Sequence, residues 1–128
     1  MKKLFVSVPM KGRTEEEIKA SIQKMKKIAE ICEGEDLELI DSYIEDNPPG
    51  NNNQAIGYLG ESLKKLSEAD VFIGICESYQ WSGCRIERET VSEYGIKNYV
   101  VPASYVIDDY DALFDKLHPV CCNEASNY

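Results

Sequence analysis

Strand-length apolar runs alternate with amphipathic helical stretches along the 128 residues, which predicts one α/β domain built on a parallel sheet. Two further observations sharpen this to a flavodoxin-like (Rossmann-like) three-layer sandwich of four to five strands in the order 2-1-3-4-5. The connections are long enough for right-handed helical crossovers. Polar, glycine-bearing loops follow the first and third apolar runs, at the carboxyl edge where such sheets bind ligands.

Residues 3–8 read as the first strand, stopped by Pro9. The loop Pro9-Met10-Lys11-Gly12-Arg13 leads to Thr14-Glu15-Glu16-Glu17, a capping box with Thr14 as N-cap. Ile18, Ile22, Met25, Ala29 and Cys32 keep helical spacing, so a long helix runs to about Glu33 and stops at Gly34. Leu37–Ile40 is a short second strand. Asn47-Pro48-Pro49-Gly50-Asn51-Asn52-Asn53 carries the strongest turn signals and reads as a loop over the carboxyl edge. A second helix covers about Gln54–Glu68 with Ile56, Leu59, Leu63 and Leu66 toward the sheet. Val71–Ile75 is a buried strand, followed by a loop over residues 77–82 and a third helix. Tyr99–Val101 is the fourth strand, Ser104–Ile107 a short edge strand, and Asp108–Leu117 a last helix. The tail from about residue 118 is expected to be weakly structured.

Hydrophobic residues at 43% and charged residues at 29% describe a folded globular chain, long enough for one core and too short for two. No apolar run reaches the length of a membrane span. Lys2 and Lys3 precede only a strand-length run, so no secretory leader is expected and a cytoplasmic location follows. The net charge of −9 argues against nucleic-acid polymers, which need a basic footprint, but not against a single nucleotide. Five cysteines without a CxxC pair or metal-ligand spacing are expected to be free thiols. No metal or cofactor fingerprint is present.

The chemistry concentrates in Trp81-Ser82-Gly83-Cys84-Arg85-Ile86-Glu87. Gly83, Glu87, Thr90, Val91 and Tyr94 share one helical line, so Glu87 tends inward, while Arg85, Glu89, Ser92, Glu93 and Lys97 fall largely on the other side. A carboxylate near a helix N-terminus either caps its own helix or serves a site. Cys84, beside Arg85, is a weaker nucleophile candidate because the single histidine, His118, is distant in sequence. With the first and third strands adjacent, the loop over residues 9–13 meets the loop over residues 81–87 in one pocket.

At these motifs the chain resembles the nucleoside 2-deoxyribosyltransferase-like family, and looks closest to a small bacterial and phage branch of it. The resemblance rests on Phe5-Val6-Ser7-Val8-Pro9-Met10-Lys11-Gly12, Leu66-Ser67-Glu68-Ala69-Asp70 and Ser82-Gly83-Cys84-Arg85-Ile86-Glu87, and spans about residues 3–101. It implies Glu87 as a nucleophile that attacks the anomeric carbon of a nucleoside and holds a glycosyl ester until a second base or water accepts the sugar. It implies a homo-oligomer acting on a nucleoside or nucleoside monophosphate. It also implies a helper aspartate and an orienting tyrosine, but those positions hold Ser62 and Phe5. Tyr58, a turn before Ser62, can supply a hydroxyl, whereas Glu61 turns to solvent. The expected catalytic set is therefore Glu87, Ser62 and Tyr58. The expected substrate contacts are Phe5, Ser7, Pro9, Met10, Lys11, Gly12, Arg13, Trp81, Ser82 and Gly83, with Lys11 and Arg13 inclined toward a phosphate. A binding module of the same fold without turnover, and a structural protein with a vestigial site, stand as alternatives.

Overall fold

The computed structural model describes residues 1–41, 53–108 and 110. Most of the expected Asn47–Asn53 loop, most of the last helix and the tail lie outside them. In chain order the elements are β1 (Lys3–Val6), α1 (Glu15–Glu33), β2 (Glu38–Leu39), α2 (Gln54–Leu66), β3 (Val71–Ile75), α3 (Ser82–Glu93), β4 (Lys97–Val101) and a short α4 (Ala103–Val106). Among the described residues the strands form one all-parallel sheet in the order β2-β1-β3-β4, the flavodoxin-like arrangement.

Side chains alternate across the sheet with the strand period of two. Leu4, Val6, Val71, Ile73 and Ile75 face Ile18, Ile22, Met25 and Ala29 of α1, with Ala103 and Val106 of α4 beside them. Phe5 and Phe72 face the other way, onto Leu66 of α2 and Val91 of α3. The next residues along that second row are Ser7 and Gly74, which brings polar chemistry to the carboxyl end of an otherwise apolar face.

The helix ends follow the sequence closely. Thr14 Oγ1 accepts from Glu17 N at 3.1 Å while Glu17 Oε1 accepts from Thr14 N at 2.8 Å, completing the capping box. Gly34 closes α1 at φ 76°, a left-handed conformation that glycine adopts without strain. Asn53 caps α2.

Three expectations are corrected. Ser104–Ile107 is not an edge strand, because Ala103–Val106 form one helical turn whose first N–H, on Ala103, is accepted by Glu77 Oε1 at 2.9 Å. Ile56 is 64% exposed rather than turned to the sheet, because only the C-terminal half of α2 overlies it. Tyr94 is 77% exposed because α3 ends at Glu93, and Lys97 belongs to β4.

At the amino-terminal edge, Glu33 gathers Lys2 Nζ at 3.1 Å, Lys97 Nζ at 2.7 Å and the Tyr99 hydroxyl. Its carboxylate is covered by these partners rather than sunk into the core, and they hold its pKa down at about 2, Lys97 foremost. The two lysines offset an acid at the negative end of the α1 dipole. A depressed carboxyl pKa gives stability that is present above 4.5 and lost as pH falls toward 2. Glu33→Gln should therefore lower Tm near neutrality, by a margin that narrows as pH drops through that window; thermal unfolding followed by circular dichroism reads it. A margin independent of pH would mean that the network is not electrostatic.

Candidate active site

The first wall of the site is the end of β1. Ser7 lies just past the strand, yet its N–H still bonds Ile73 O at 2.9 Å, so its backbone remains part of the sheet. Pro9 is buried, and the chain turns at Met10-Lys11-Gly12-Arg13 with Arg13 N bonded to Met10 O at 3.2 Å. Gly12 occupies the third position at φ 78°, the positive φ that such a turn favours.

Arg13 does not reach outward from this turn. Its guanidinium donates to Pro9 O at 3.0 Å, Glu17 O at 3.2 Å and Ser21 Oγ at 2.7 Å, and Ser21 Oγ donates onward to Val106 O at 2.6 Å. Desolvation lowers its pKa, against the opposing charges of Glu17 and Asp108. Arg13 thus clamps the loop to α1 and α4, and Lys11 is the exposed cation of the turn.

The second wall is the connection from β3 to α3. Glu77 bonds Ala103 N, and Arg88 reaches Ser78 Oγ at 3.2 Å and Cys76 O at 3.4 Å. Trp81 is buried with its ring 6.2 Å from that of Tyr110. Ser82 and Gly83 open α3 and are exposed. A Cβ built on Gly83 would meet nothing within 4 Å, so this exposed position is uncrowded. No acidic side chain occupies that turn.

Between the walls sits Glu87, 8% exposed, with Ser7 Oγ donating to its Oε1 at 2.7 Å. Burial disfavours the carboxylate and raises its pKa to about 7; the Ser7 hydroxyl, and less strongly that of Ser62, pull it back down. Cys84 adjoins the same groups. Burial first, then the nearby Glu87 charge, pushes its thiol up to about 12, so Arg85 does not make it a thiolate.

The fold therefore brings together Ser7, Ser62 and Glu87, with Cys84 beside them and Ser82 and Gly83 at the open side. Tyr58 is half-buried one turn before Ser62 and, among the described residues, makes no bond to Glu87. Phe5 is closed into the core, 1% exposed and stacked on Phe72 with ring centroids 6.1 Å apart, so it presents no face to a ligand. Met10 packs on the core, and Glu61 pairs with Lys64 at 3.7 Å. Asp70 is structural: its Oδ2 accepts from Lys3 N at 2.9 Å. Glu89 is exposed, as its helical phase requires.

Gly74 was not among the expected site residues. A Cβ there would lie 3.0 Å from Phe72 Cε1, so the bare backbone makes room for the Phe72 ring, while Ser7 Cβ at 3.8 Å is an ordinary neighbour. A glycine inside an apolar strand is the sequence signal for such an approach. A separate cleft of about 600 Å³ lies between Ser78, Tyr79 and the Arg85–Glu93 side of α3. It excludes Glu87, and its two arginines stand beside two glutamates, so no net charge selects a ligand there. Among the described residues no cluster of His, Cys, Asp and Glu is arranged to hold a metal, and no helix is long and apolar enough to cross a membrane. No protein-family model, curated protein or solved structure shows detectable similarity to the chain.

A carboxyl whose native pKa is raised costs stability as pH climbs from 4.5 to about 7, and the whole cost remains above that. At ~1.4 kcal/mol per pH unit the penalty is about 3 kcal/mol. Glu87→Gln keeps the acceptor for Ser7 without the charge. It should be more stable than the parent by up to about 3 kcal/mol above neutrality and equal to it near pH 4, in denaturant unfolding at each pH. Parallel pH curves would place the carboxyl in water.

Proposed function

We propose that the protein cleaves or transfers the N-glycosidic bond of a nucleoside, with Glu87 as the nucleophile. The observation that carries this reading is a desolvated carboxyl held by the Ser7 hydroxyl, and less strongly by that of Ser62, at the carboxyl edge of a parallel sheet. Glu87 in its ionised form attacks the anomeric carbon while the C–N bond breaks. The base leaves with the bonding pair and takes up a proton, and a glycosyl ester remains on Glu87. Water or a second base then attacks the same carbon, and the carboxylate leaves with its electron pair. A desolvated carboxylate suits this role, since it is more basic than one in water and faces a cationic transition state.

The surroundings favour an unphosphorylated nucleoside over a monophosphate. Arg13, expected to meet a phosphate, is committed to the loop itself. The α1 N-terminus beside it is closed by its own capping box and bordered by Glu15, Glu16 and Glu17, which repel an anion.

A second reading, a binding module without turnover, is favoured by one observation. The polar groups acting on Glu87 are two hydroxyls, Ser7 and Ser62, with no second carboxylate among the described residues to assist leaving or attack.

Incubation with a panel of nucleosides and their monophosphates, with and without an acceptor base, separates the readings. Base release without acceptor indicates hydrolysis, base exchange indicates transfer, and saturable binding without either indicates the binding module. Glu87→Gln should abolish turnover and Glu89→Gln leave it within about 3-fold. Because the ionised carboxyl is the reactive form, kcat/KM should rise with pH through about 7 and then level off. A fall across that range would make the protonated carboxyl the working form. Lys11→Ala should change the monophosphate-to-nucleoside preference by less than about 3-fold; a 10-fold or larger loss confined to monophosphates would restore the phosphate.

A further inference from the structure

The resemblance places the hydroxyl that orients the nucleophile at position 5 of the chain. Phe5 cannot supply it, since its ring is stacked on Phe72 inside the core. Two residues on, along the same face of the same chain segment, Ser7 is 2% exposed and donates to Glu87 Oε1 at 2.7 Å. A hydroxyl sealed from water needs a partner, and this one gives its single proton to the strongest acceptor in reach.

Both ends of the contact are fixed from outside it. The Ser7 backbone is pinned by its N–H to Ile73 O at 2.9 Å, and Glu87 is carried by the second turn of α3. The loop after Ser7 is clamped by Arg13, and the loop before α3 by Glu77 and Arg88. The Ser62 hydroxyl also acts on this carboxyl, less strongly than that of Ser7.

We propose that Ser7 is the positioning residue of the site: by holding Glu87 Oε1 it fixes the orientation in which the carboxyl meets the sugar, the orienting role that the resemblance assigns to position 5. This rests on the reading of Glu87 as a nucleophile. Ser7 itself touches no reacting atom. It acts by restricting the carboxyl to one rotamer and by favouring its charged form.

The test uses two readouts, of which one needs no substrate. The first is a ¹³C NMR titration of the Glu87 carboxyl, its resonance identified by loss in Glu87→Gln. Ser7→Ala should raise that pKa by about one unit, because a hydrogen bond to the charged form is lost. Ser7→Thr, which keeps the hydroxyl, should restore it. The second is kinetics: Ser7→Ala should lower kcat by ~10–100-fold with KM within about 3-fold, and move the pH–rate midpoint with the titration. If Ser7→Ala does not fold, Ser7→Cys, a weak donor of similar volume, should shift both readouts in the same direction. An unmoved Glu87 pKa in a folded variant overturns the proposal whatever the turnover. If the parent turns over no nucleoside but its Glu87 pKa responds to Ser7→Ala, the glycosidic reading falls and the hold of Ser7 on Glu87 stands.

Discussion

A single buried hydrogen bond, from Ser7 at the end of β1 to Glu87 in α3, joins segments 80 residues apart and ties the two walls of the candidate site together. The sheet provides one end of it, through β1 paired with β3, and the start of α3 provides the other. Much of the surrounding polar bonding keeps these ends in place. Arg13 fixes the loop that leaves Ser7, and Asp70 locks the entry of β3 onto Lys3. Glu77 anchors the approach to α3 on α4, a device that also creates α4 by satisfying its first N–H. Preorganisation of this kind lowers the reorganisation needed when charge develops on a substrate.

Burial, which this contact only partly offsets, makes the site costly to fold. Sealing Glu87 opposes its ionisation, and two hydroxyls repay that only in part, so the carboxyl titrates at about 7 instead of 4.5. The protein is then less stable at neutral pH than an uncharged side chain at position 87 would make it, and the carboxylate that does form is more basic than one in water. Glu33, at the opposite edge, shows the reverse balance: two lysines and a tyrosine hold it ionised and it stabilises the fold. The sheet thus carries a stabilising carboxylate at its amino edge and a strained one at its carboxyl edge. Strain located in a candidate site is the pattern expected where function and stability compete.

Local chemistry made much of this visible in the sequence. The capping box at Thr14 and Glu17, the stop at Gly34 and the all-apolar Val71–Ile75 run each have one low-energy solution, and the fold adopts it. Helical spacing also turned Glu87 inward and Glu89 outward correctly, because phase depends only on neighbours along the helix. What spacing cannot supply is how far the surface beneath an element extends. Ile56 keeps the apolar phase of α2 but projects beyond the sheet, and Tyr94 keeps the phase of α3 after the helix has ended. Ser104–Ile107 has strand-like composition, yet a carboxylate 26 residues earlier caps it into a helical turn. Arg13 looked like a phosphate ligand because its partners Pro9 O, Glu17 O and Ser21 Oγ come together only when the chain has turned. Ser7 was legible as a site residue, but its role was not, since nothing in the sequence states that Phe5 stacks on Phe72 and leaves the next residue of that row to meet Glu87.

If Glu87 forms a bond to the sugar, the mass of the protein during turnover records it directly. A nucleoside with fluorine at C2 of its sugar destabilises the cationic transition states and slows hydrolysis of the ester, so the intermediate accumulates. The intact protein should gain the mass of one fluorinated glycosyl group, peptide mapping should place it on Glu87, and Glu87→Gln should acquire none. Label on another carboxylate, or base release with no label and full activity in Glu87→Gln, would contradict it.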